Sequence, residues 1–197
     1  AGEERGPMKH EYLAGEVFAM AGASDAHVTI TGNLFVLLRA HVRGSPCRVY
    51  MADMKLRVET ADAFFYPDLL VTCAVADHAA PQFKCQPTVV VEVLSAGTAA
   101  FDRGQKFALY RQLPSLREYV LIEQDRMSVE CFRRDEQDRW VLQAYGPGET
   151  VELSSLDFST AIEALYEDVA LPVATDENWR WSEEEIHGNH GRRGKDF

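Results

Sequence analysis

Hydrophobic and polar positions alternate along this chain in two distinct periods, and the switches between them mark its elements. Two short apolar arms flank Ala14-Gly15 over residues 11–20, a pattern that predicts a hairpin at a sheet edge. From Ser24, a suitable N-cap, the apolar residues Val28, Leu34, Leu37, Leu38 and Val42 recur at helical spacing until Gly44-Ser45-Pro46 stops them. Strands are predicted over 47–51, 54–59 and 68–73, with Phe64-Phe65-Tyr66 between the last two. Small and polar residues predict a loop over 76–87. The run at 88–94 is apolar at nearly every position, so it reads as a central strand covered on both faces. A turn at 95–98 leads to a second helix over 99–112, closed by Pro114, and the chain returns to a strand over 118–122. Alternating segments at 128–133 and 140–145, joined by a charged run, predict a solvated hairpin; a strand at 150–153 and a last helix at 160–167 follow. Strands, one crossover helix and more strands predict a mixed α/β fold, a mixed central sheet flanked by helices.

Composition narrows the class. The chain has 197 residues, 46% hydrophobic and 26% charged, enough to bury a core in one domain, which we place at 11–171 between an extension at 1–10 and a partly mobile tail at 172–197. The longest nearly uncharged apolar run, 87–101, carries Glu92 and is shorter than the roughly 18 residues a spanning helix needs, so no membrane segment is expected. No secretory signal is visible at the start. Cys47, Cys73, Cys85 and Cys131 lie singly, without a Cys-x-x-Cys pair, and are expected to be reduced, buried thiols of a cytoplasmic protein. The net charge of −11 repels polyanions overall, so any nucleic-acid contact requires a local basic surface.

Three features carry possible chemistry. Glu92 sits among Val89, Val90, Val91, Val93 and Leu94, where burying an unpaired carboxylate costs several kcal/mol; the plain alternative is a strand end facing solvent. Asp68 follows Pro67 at the entry to a strand, a pattern also common in turns. Together the two place carboxylates at the ends of neighbouring strands, as a hard divalent cation requires. On the helix after Glu92, Asp102, Lys106 and Tyr110 recur at i, i+4 and i+8, so Lys106 either points at the carboxylates or forms a surface ion pair with Asp102. His27 and His41 flank the first helix and read more simply as surface or packed residues; Glu16 is a turn residue or a third acid, and His187 and His190 lie in the tail. The chain contains no Gly-x-Gly-x-x-Gly, Walker loop, Gly-x-Ser-x-Gly elbow or His-Glu-x-x-His, which removes the main support for dinucleotide enzymes, P-loop NTPases, α/β-hydrolases and zincins.

Asp68 after a proline, followed by Glu92-Val93-Leu94 on a core strand, resembles the bipartite PD-(D/E)XK motif of restriction-endonuclease-like nucleases. Gly15-Glu16-Val17, the Ala23-to-His27 helix entry, Pro67-Asp68-Leu69, Val91-to-Ser95, Thr98, Asp102-to-Phe107, Tyr110 and Glu118-Tyr119 resemble the Uma-two family over about residues 11–171. The resemblance implies a restriction-endonuclease-like core and a Mg²⁺- or Mn²⁺-dependent DNA endonuclease. It implies Asp68 and Glu92 as metal ligands and Lys106, Glu16 and His27 as further active-site residues. Leu94 stands where the general motif has lysine, and Lys106 matches a lysine moved to the following helix. A homodimer is expected, since two related sites suit duplex cleavage. The scattered cations Arg39, Arg43, Arg48, Lys55, Arg57, Arg103, Lys106 and Arg111 must converge around the cleft, or DNA is the wrong substrate. Two other readings stay open: a non-catalytic nuclease-fold binding or regulatory module, and a metal-dependent hydrolase of a smaller phosphoester.

Overall fold

The structure is a computed structural model that describes residues 9–20 and 22–172; the tail histidines His187 and His190 lie outside the described residues. β1 (His10–Leu13) and β2 (Glu16–Ala19) form the expected hairpin, with Ala14 and Gly15 both at positive φ in the two-residue turn that suits the strand twist. α1 (Asp25–His41) starts where the Ser24 hydroxyl accepts the His27 N–H. β3 (Arg48–Met51), β4 (Lys55–Val58), β5 (Ala63–Phe65) and β6 (Leu69–Thr72) follow. After α2 (Val75–Ala79) and β7 (Phe83–Lys84) comes β8 (Val89–Leu94), buried at every position. α3 (Ala99–Phe101) continues through a π-helical turn (Asp102–Lys106) into α4 (Phe107–Tyr110). The chain then forms β9 (Glu118–Glu123), β10 (Val129–Arg134), β11 (Trp140–Tyr145), β12 (Thr150–Leu153) and β13 (Phe158–Ala161).

β8 lies inside a six-stranded sheet ordered β11-β10-β9-β8-β6-β3, antiparallel to β6 and parallel to β9. The parallel pair needs a crossover, and α3 to α4 supplies it. Strand alternation divides the core in two. Val89, Val91 and Val93 pack with Ile30, Leu34 and Leu38 of α1, whereas Val90 and Leu94 pack with Phe107 and Tyr110 of the crossover and with Phe65 of a second sheet, β2-β1-β5-β4-β7. Glu92 therefore falls on the face covered by the crossover helix.

Three expectations are corrected. The loop expected over 76–87 holds α2 and β7, because a buried Asp77 carboxylate accepts the Cys85 and Gln86 N–H groups and the buried Lys84 ammonium bonds the Asp77 carbonyl, tying the segment together. The helix expected over 160–167 is instead the end of β13, paired with β12, and a 3₁₀ turn over Ile162–Leu165. Ile162 and Leu165 are buried three residues apart, a spacing one 3₁₀ turn serves as well as a helix. The four thiols are not all reduced: Cys47 and Cys73 form a disulfide, while Cys85 and Cys131 are free and only Cys131 is fully buried. The physical reason is register, since Arg48 pairs with Thr72 across β3 and β6 and the next residues outward are the two cysteines.

Thiol titration of the chain denatured without reductant is expected to count two thiols, and four after reduction. Closing a loop with a sequence separation of 26 stabilises the fold by about 3.5 kcal/mol on the chain-entropy estimate, so reduction should lower the denaturant midpoint correspondingly.

Candidate active site

The site is assembled where β6 begins and β8 ends. Antiparallel pairing of Leu69 with Val91 brings the preceding residue, Asp68, opposite Glu92. The Asp68 N–H donates to Glu92 Oε2 at 3.4 Å, and Asp68 Oδ2 accepts the Val93 N–H at 2.7 Å. His27, in the first turn of α1, places Nε2 3.1 Å from the same Oδ2. Two elements thus fix the orientation of the Asp68 carboxylate.

Glu92 is 3% exposed and is held from the opposite side. Its Oε1 accepts from the Tyr110 hydroxyl at 3.0 Å and from Lys106 Nζ at 2.9 Å. Lys106, 6% exposed, also lies 3.2 Å from Glu11 Oε1 and 3.5 Å from Asp102 Oδ1. One ammonium therefore faces three carboxylates, far from the surface ion pair that i, i+4 spacing alone allows. Burial pushes the Glu92 carboxyl up; Lys106 opposes this, Asp68 adds to it, and the result is about 8. Burial by itself would lower Lys106, but the charges of Glu92, Glu11 and Asp102 outweigh it and hold the ammonium above its ordinary value. Burial would likewise lower His27, yet its hydrogen bond and charge contact with Asp68 leave it raised. Burial, and then Glu92, raise Tyr110 well above the ordinary phenol value, so it remains a donor.

His27, Asp68, Glu92 and Lys106 line a cleft of about 710 Å³ whose walls also include Ser24 and Tyr66. The structure brings Asp68, Glu92, Lys106 and His27 together. It does not bring Glu16 to them, because Glu16 stands at the turn end of β2, a strand exposed along its length. The acid that the hairpin contributes is Glu11. The signal for it was present in the alternation of β1, where Glu11 shares a face with Leu13, which packs on the core. His41 behaves as a packed residue, with Nε2 2.9 Å from the Leu156 carbonyl oxygen and its ring edge-on to Phe158.

The expected convergence of cations is not found. Lys9 and Lys106 are the lysines lining the cleft, and Lys9 is ion-paired with Asp53. Arg103 bonds Glu123 and Glu130, Arg57 pairs with Glu59, and Arg39 and Arg43 are exposed near the other end of α1.

The Uma2 family, described as "Putative restriction endonuclease", matches residues 3–165 of the chain. The chain belongs to the Uma2 family. An uncharacterized Synechocystis protein, slr1290, is 34% identical over 168 residues, covering 85% of this Uma2 chain and 88% of its own. A second uncharacterized Synechocystis protein, sll1609, is 34% identical over 160 residues, or 77% and 88% of the two chains. A crystal structure described as a "putative nuclease belonging to DUF820" from Anabaena variabilis shares the fold, with a TM-score of 0.67 over 80% of this chain and 89% of that one, at 15% identity. The Uma2 assignment and this neighbour agree with the restriction-endonuclease-like core expected from the motif. No helix among the described residues is long and apolar enough to cross a membrane.

The raised Glu92 carboxyl gives a test of the site's electrostatics. Between 4.5 and about 8 the folded state holds a proton at Glu92 that the unfolded chain has released, so stability from this group falls as pH rises through that window. Glu92→Gln removes the dependence. Its melting temperature relative to wild type should rise from pH 5 to pH 9, reaching an advantage of a few degrees, roughly 1 kcal/mol or more. A constant difference across that range would mean that Glu92 does not change charge within it.

Proposed function

We propose that the protein is a divalent-metal-dependent endonuclease that hydrolyses phosphodiester bonds in DNA and acts as a homodimer. The observation that carries this reading is the meeting of Asp68, Glu92 and Lys106 in one cleft, from strand entry, central strand and crossover helix. The donor set suits Mg²⁺ or Mn²⁺: two carboxylates on adjacent strands, beside a cleft with room for water and phosphate oxygens. Among the described residues no group of three or more His, Cys, Asp or Glu is arranged to hold a metal, so water and substrate would complete the shell around an ion at Asp68 and Glu92. When bound, such an ion polarises the scissile phosphate and lowers the pKa of water at the site.

The chain's own groups have separate tasks. Lys106 remains charged and offers a hydrogen-bond donor to the charge that grows on the phosphate oxygens. Tyr110 and Lys106 hold Glu92 in one rotamer, and His27 and the Val93 N–H hold Asp68 in another. The acids Glu11, Asp68, Glu92 and Asp102 outnumber the lysines of the lining. Polyanion binding therefore requires the divalent ion as well as the protein. That same acidity favours, as a second reading, a small phosphoester over duplex DNA.

The test is incubation with supercoiled plasmid, single-stranded DNA and a small aryl phosphodiester at low salt, with Mg²⁺, Mn²⁺ or chelator. Metal-dependent nicking is expected, reduced by about 100-fold or more in Glu92→Gln and in Lys106→Ala. Turnover of the small ester alone would replace DNA by the second reading. Activity equal in wild type and both variants would remove these residues from catalysis. No turnover with intact Mn²⁺ binding would favour the non-catalytic module.

A further inference from the structure

The helix that carries Lys106 changes pitch as it passes the site. Residues on either side are α-helical, but Asp102–Lys106 form a π turn, a rare irregularity that accommodates one extra residue and often occurs at functional sites. Lys106 is the last residue of this wide turn, and its amine meets Glu92 at 2.9 Å. In an unbroken α-helix each residue advances about 100°, so losing the extra residue would rotate the amine away from the carboxylate by about that angle.

Something must hold the wide turn open, and Tyr119 lies beneath it. Tyr119 belongs to β9, in register with Val90 of β8, and is fully buried. Its hydroxyl donates to the main-chain carbonyl of Asp102, the first residue of the π turn, at 3.0 Å. Its ring stacks on Phe107, the first residue after the turn, with centroids 5.1 Å apart and planes 14° apart, and meets Tyr110 edge-on at 5.4 Å. A single side chain thus grips both ends of the irregular segment from the sheet.

We infer that Tyr119 is a positioning residue: its hydroxyl on the Asp102 carbonyl maintains the π turn, and the π turn sets Lys106 against Glu92. A role for this in catalysis rests on the nuclease reading above; the positioning itself does not. Phenylalanine at 119 keeps the ring packing and removes only the hydroxyl. Deleting Gly104, which lies within the π turn, removes one residue from it and is expected to return the segment to α-helical pitch.

The experiment is acetylation of the full chain with an N-hydroxysuccinimide ester, with labelling at each lysine quantified by peptide mass spectrometry. Lys84, 2% exposed and remote from the π turn in sequence, is an internal control for general loosening of the core. In Tyr119→Phe, labelling of Lys106 relative to Lys84 is expected to rise by about five-fold or more, and the Gly104 deletion should do the same, as local rather than global opening predicts. An unchanged ratio in Tyr119→Phe, whether because Lys106 stays protected or because both lysines open together, would overturn the inference. Wild type inert on plasmid with a shifted labelling ratio would count against the nuclease reading while supporting the positioning role.

Discussion

A carboxylate in the middle of a fully buried strand is the constraint around which this molecule is arranged. Glu92 has lost its water, and a carboxyl in that position, protonated or charged, is tolerated only with partners that restore the lost solvation. The fold supplies Lys106 and Tyr110 from the crossover helix and the Asp68 N–H from the neighbouring strand. Lys106 in turn is buried, and Glu11 from the hairpin and Asp102 from its own helix add to Glu92 in holding its charge. The hairpin, two strands and the crossover are thereby tied to one polar cluster between hydrophobic layers.

A second buried carboxylate shows what a purely structural solution looks like. Glu118 is wholly buried at the start of β9, where it accepts from Arg133 Nε at 2.8 Å and from the Ser154 and Ser155 N–H groups at 3.0 and 3.1 Å. These bonds join the six-stranded sheet to the segment that links β12 and β13, and Glu118 does not line the acidic cleft. Glu92 differs because its cluster carries more acids than cations and faces a cleft of about 710 Å³. Such an arrangement is costly for the isolated fold and apt for binding a cation, as expected where local stability is sacrificed to function.

The rigidity of the site comes from the elements beneath it. Ser24 fixes the first turn of α1 and with it His27, while the β6–β8 register fixes Asp68. Aromatic packing of Phe107, Tyr110 and Tyr119 beneath the crossover limits where Lys106 can go. Preorganisation of this kind lets charged groups act in a low-dielectric cleft without rearranging during reaction.

Local pattern determined most of the elements and the two acids. A glutamate inside a run of valines, and an aspartate after proline at a strand entry, stand out because their local cost is visible without a fold. The hairpin, α1 and the central strand follow from periodicity that neighbouring elements reinforce. Tertiary structure decided what depends on partners distant in sequence. The choice of Glu11 over Glu16 follows from which face of β1 meets the core, and the Cys47–Cys73 bond follows from strand register. The strand at 158–161 forms because β12 pairs with it. Lys106 illustrates the division: helical spacing placed it near Asp102, but its approach to Glu92 depends on a π turn over a tyrosine from another strand. Spacing along a helix records only neighbours on that helix, whereas burial, register and pitch are set by what packs against it.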